Sequence, residues 1–73
     1  MDERFIKLLN TAFNAAMSYR ETKDNGNFKQ SENPFLLIGI DAIRTILNEY
    51  KDVLYNLDGK YWIAFSFAAT TLK

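Results

Sequence analysis

Three dipeptides divide this chain: Asn25-Gly26, Asn33-Pro34 and Asp58-Gly59. Asn-Gly adopts positive φ cheaply, so it ends a helix or makes a tight turn. Asn33 can cap free amide groups, and Pro34 suits a first helical position. Asp58-Gly59 breaks the chain once more. The breaks leave three apolar-rich segments and a polar linker, "DNGNFKQSEN" at 24–33. Each segment is too short to form a domain alone.

The first segment predicts a helix over 2–23. Phe5, Leu9, Ala12, Phe13 and Ala16 recur at helical spacing, flanked by Ile6, Leu8, Met17 and Tyr19. Asp2 and Glu3 suit the positive end of the helix dipole, and Lys23 the negative end. Acids stand before the first apolar run, so the start "MDERFIKLLN" is not expected to be a secretory signal. In the linker only Phe28 is apolar, and it is expected to fold back as a plug on the core.

The second segment predicts a helix over 34–57. Phe35, Gly39, Ala42, Ile43, Ile46, Tyr50, Val53, Leu54 and Leu57 form a broad stripe opposite Asp41, Arg44, Thr45, Asn48, Lys51 and Asp52. The third segment, 60–72, has no charge between Lys60 and Lys73. As a helix it gathers Tyr61, Trp62, Phe65, Ala68, Ala69 and Leu72 on one face, with Asp58 as its cap, while Ile63 and Phe67 project elsewhere. As a strand it alternates well. A strand needs a partner, and lone hairpins are barely stable in water. The expectation is therefore an all-α, three-helix single domain over 1–73. The alternative is an α+β fold with strands at 60–71 and 35–40, extended by a dimer.

Size presses the chain towards a partner. A protein of 8.5 kDa exposes roughly 4,600 Å² when folded, and buries only about 60% of its unfolded surface. Such domains usually need a disulfide, a metal or another subunit. Cysteine and histidine are both absent, so oligomerisation or binding is the expected support.

The same absences argue against catalysis and cofactors. The usual general base, thiolate nucleophile and zinc ligands are missing. The acids form no cluster, and the glycines make no phosphate loop. Nine basic residues balance nine acidic ones, which does not suit a nucleic-acid clamp. No apolar run reaches membrane-span length. The expected setting is the cytoplasm, with no nucleic-acid partner.

Protein contact remains. Ile63, Phe67, Leu37 and Tyr55 lie off the main apolar stripes and are candidate contact residues, with Arg44 and Lys51 on the polar helix face. The expected function is a non-enzymatic interaction module, self-associating through its tail and binding a protein target. Such a protein fits a phage- or plasmid-encoded inhibitor or regulator of a host protein, of an anti-defence or immunity type. The alternative is an oligomer that sequesters a flat, nucleotide-like ligand by stacking it on Trp62, Tyr61 and Tyr50.

Overall fold

The computed structural model describes residues 2–26, 29 and 32–72. It contains four α-helices and, among the described residues, no strand: α1 (Glu3–Asn25), α2 (Pro34–Glu49), α3 (Lys51–Tyr55) and α4 (Gly59–Thr71). The all-α expectation holds, and the strand alternative for 35–40 and 60–71 does not. The Phe28 plug lies outside the described residues.

The helix ends follow the dividing dipeptides. Asp2 caps α1, its carboxylate accepting the Arg4 amide at 2.8 Å. Gly26 closes the helix at φ 68°, a left-handed conformation that glycine takes without a Cβ penalty. Its amide donates back to the Lys23 and Thr22 carbonyls. At α4 the expected cap is only positional, for Asp58 makes no side-chain capping bond.

α1 and α2 are antiparallel. At one end the Arg4 guanidinium grips Glu49 through two contacts, at 2.7 and 3.2 Å. At the other, Asn33 bonds to Thr22. α4 runs alongside α1 in the same direction. Phe65, in its first half, joins Phe5, Leu9, Ile46 and Tyr50. Leu72, just past its end, joins Ala12, Ala16, Tyr19 and Ala42. Ala12, Ala16, Ala42 and Ala68 are all buried where the three long helices meet. Their small side chains let the helix backbones approach closely.

The expected second helix, 34–57, is two helices and not one. It breaks at Tyr50, whose backbone leaves the helical region at φ −125°, ψ 26°. The cause is a shortage of surface. Glu49 is already level with Arg4, near the start of α1, so a straight helix would run on into water. The bend instead turns Val53, Leu54 and Leu57 back over the cluster around Phe5. The Tyr50 ring tucks inward at the corner, edge-on to Phe5 at 5.5 Å, with the Arg4 guanidinium 5.9 Å from its centroid. Burial is the main reason its phenol is pushed above the ordinary tyrosine value.

Asn33 is 1% exposed and has two tasks. Its Oδ1 accepts the Phe35 amide at 3.0 Å, which caps α2. Its Nδ2 donates to Thr22 Oγ1 at 2.8 Å. The Thr22 hydroxyl is itself donating to the Ser18 and Tyr19 carbonyls, so it can only accept from Asn33. Aspartate caps helices about as well as asparagine, yet it has no N–H to offer here. Asn33→Asp should therefore cost about 1–3 kcal/mol in urea unfolding at neutral pH. Unchanged stability would mean that the Thr22 hydroxyl turns to donate instead.

Gly39 gives α4 its seat on α2. A Cβ placed on Gly39 would overlap both methyl carbons of Leu72, a side chain that is itself buried. Alanine would gain about 1 kcal/mol in helix propensity. Overpacking a core typically costs about 1–3 kcal/mol, so the clash should win. Gly39→Ala is expected to lower stability, and in a Leu72→Ala background the same change should raise it by up to about 1 kcal/mol. Paired denaturation curves read both signs.

Candidate functional site

The third helix leaves a groove beside it. α1 and α4 touch through Phe13 and Phe67, whose ring centroids lie 5.3 Å apart. Outward of that contact lies an open trough of about 580 Å³. Phe13 and Met17 of α1 and Ile63 and Phe67 of α4 form its apolar wall. Arg20, Glu21 and Asp24 edge it towards the end of α1. Ile63 is 71% exposed and Met17 51%, while the two phenylalanines are half-buried. The groove thus has a packed floor and two apolar side chains standing free at its rims.

The trough follows from helical spacing. Phe5, Leu9, Ala12 and Ala16 point into the three-helix seam. Phe13, Met17 and Glu21, at four-residue steps, lie on a row turned away from it. On α4, Phe65, Ala68 and Leu72 make the seam, while Ile63 and Phe67 look along α1. The outward side of α4 also carries Thr70 and, as elsewhere between Lys60 and Lys73, no charge.

Two of the expected contact residues, Ile63 and Phe67, come together here. The other four do not line the groove. Leu37 and Arg44 are exposed on α2, and Lys51 and Tyr55 on α3. Leu37 and Tyr55 sit on different helices, on either side of the break at Tyr50. Of the seven residues that line the groove, the sequence singles out Ile63 and Phe67 as contact candidates. The periodicity places Phe13 on the core face and Met17 at its flank, and singles out none of Arg20, Glu21 and Asp24. The i, i+4, i+8 row on α1 is the signal that could have found them.

The stacking residues are dispersed. Tyr50 is buried at the α2–α3 corner against Phe5. Trp62 lies stacked on Phe65 at 5.8 Å. Tyr61 is half-buried, with the Lys60 ammonium 5.0 Å from its ring centroid. None of the three lines either described cavity. The second cavity, about 300 Å³ between α1 and α2, is edged by Thr11, Asn14, Ser18 and Ile38.

Among the described residues no group of three acids gathers as a metal site, and no helix is long and apolar enough to cross a membrane. Arg4 and Glu49 form an exposed ion pair, 2.7 Å long, at the far end of α1. The Glu49 carboxylate holds the Arg4 guanidinium above its ordinary value, chiefly through their hydrogen bond. The Tyr19 hydroxyl is buried without a hydrogen-bond partner among the described residues. In comparisons with family models, curated proteins and solved structures, the chain matches none.

Exposure separates the two α4 groove residues. Ile63→Glu should leave helix content intact and shift unfolding by no more than about 0.5 kcal/mol in dilute solution, as surface changes generally do. Phe67→Glu should cost several times more, because its ring is packed on Phe13. Circular dichroism with thermal melts of both variants checks the order.

Proposed function

We propose that this chain is a non-enzymatic protein-interaction module whose docking surface is the groove between α1 and α4. The observation that carries this is the groove itself, with Met17 and Ile63 free above a floor of Phe13 and Phe67. Methionine, aromatic and aliphatic side chains around a trough suit the apolar face of an amphipathic helix, whose i, i+3 and i+4 side chains would fill it.

Binding of this kind is stoichiometric. It supports an inhibitor or regulator that works by occupying a surface on another protein. Specificity would come from the mixed-charge edge of Arg20, Glu21 and Asp24, since complementary charges fix register and exclude wrong partners. The stacking of a flat ligand has no cavity to support it, with Tyr50, Tyr61 and Trp62 apart.

Ile63→Glu is the probe, since it changes the groove without touching the core. Proteins captured from lysate on the wild-type chain should be lost from the variant. The captured protein, once purified, should titrate to one partner per chain by calorimetry. Equal capture by wild type and Ile63→Glu would remove the groove from the interaction.

A further inference from the structure

We propose that the groove is filled by α4 of a second copy of this chain, packed antiparallel across a two-fold axis near Phe67. The proposal rests on the groove being a docking surface and names its occupant in the isolated chain.

The register follows from spacing. α1 and α4 run side by side in the same direction, with Phe67 level with Phe13. A two-fold axis at Phe67 reverses the incoming α4. Its Ile63, four residues before Phe67, then lies four residues beyond Phe13, level with Met17. Its Lys60, three residues further, reaches the level of Arg20 and Glu21, one turn from Asp24. The row Lys60–Ile63–Phe67 on α4 therefore matches, in reverse, the row Glu21–Met17–Phe13 on α1. Apolar meets apolar, and one ammonium meets an edge bearing two carboxylates and one guanidinium.

Three further observations favour a copy of this chain. A two-fold contact needs a surface carrying both halves of the fit, and the groove holds its own projecting residue, Ile63, beside its own trough. The outward side of α4 has no charge from Tyr61 to Leu72, so two such helices meet without repulsion. Among the described residues Lys60 has no carboxylate within ion-pair distance, for the ion pair there is Arg4–Glu49. The product is a layer of four helices, α1 and α4 from each copy, of the kind that builds helical bundles.

Sedimentation equilibrium over a micromolar-to-millimolar series is the test. The wild-type chain should reach twice its 8.5 kDa mass. Ile63→Glu should remain a single chain with unchanged helix content. Lys60→Glu should raise the dimer dissociation constant about tenfold, through its two symmetric charge pairs. The double variant Lys60→Glu with Glu21→Lys should restore it, because both reversed charges meet across the axis. A wild-type chain that stays single throughout would overturn the second copy as occupant, and leave the groove to be judged by the capture experiment. A dimer that survives Ile63→Glu would place the contact elsewhere. A dimer weakened by Ile63→Glu but insensitive to Lys60→Glu would overturn the antiparallel register.

Discussion

The close approach of α4 to the α1–α2 pair is the contact on which this fold depends. Two antiparallel helices cannot enclose a core, since each hides only one stripe of the other. The third helix closes it, and it fits because the residues beneath it are small. Ala12 and Ala16 on α1, with Gly39 and Ala42 on α2, leave room for Ala68 and Leu72. Larger side chains there would hold α4 away and leave Phe65 and Leu72 in water. Burying a large apolar side chain contributes roughly 1.5–3 kcal/mol, so these contacts weigh heavily in a domain this small.

The same closeness produces the groove. α4 lies close where alanines face it, and Phe13 and Phe67 pack on each other at the outer edge. Packing on the seam and exposure at the rim are two results of one arrangement. The rims hold the apolar side chains that a three-helix seam has no room for. A fold of this size has too little interior for 48% hydrophobic residues, and part of the excess stands exposed, Met17 and Ile63 at the groove and Leu37, Ile38, Leu47 and Tyr55 on α2 and α3.

Element types and ends were mostly legible in the sequence, and the reasons are local. Gly26 ends α1 because only a residue tolerant of positive φ can take that place. Asn33 caps α2 because its side chain reaches an amide two residues on. The break at Tyr50 was not legible. No glycine or proline marks it, and the stripe of apolar residues runs through it unbroken. It arises because α1 begins where it does, which is a fact about the neighbouring helix. The second task of Asn33, holding Thr22, was hidden for a similar reason, as the two are joined only when the helices fold together.

By itself, the sequence determined that the chain forms helices with turns at Asn25-Gly26 and Asp58-Gly59, and that it lacks histidine and cysteine chemistry. Periodicity and turn chemistry act over a few residues and need no distant partner. For the tail, strand and helix patterns were nearly balanced, and tertiary contact decided between them, since α1 and α2 offer a helix-shaped seat and no strand edge. Tertiary structure also decided which apolar residues face water. Ile63 and Phe67 both fall off the main stripe in the sequence, yet one stands on the rim and the other packs half-buried on Phe13. That choice rests on the direction in which α4 crosses α1, which the small residues of the seam impose.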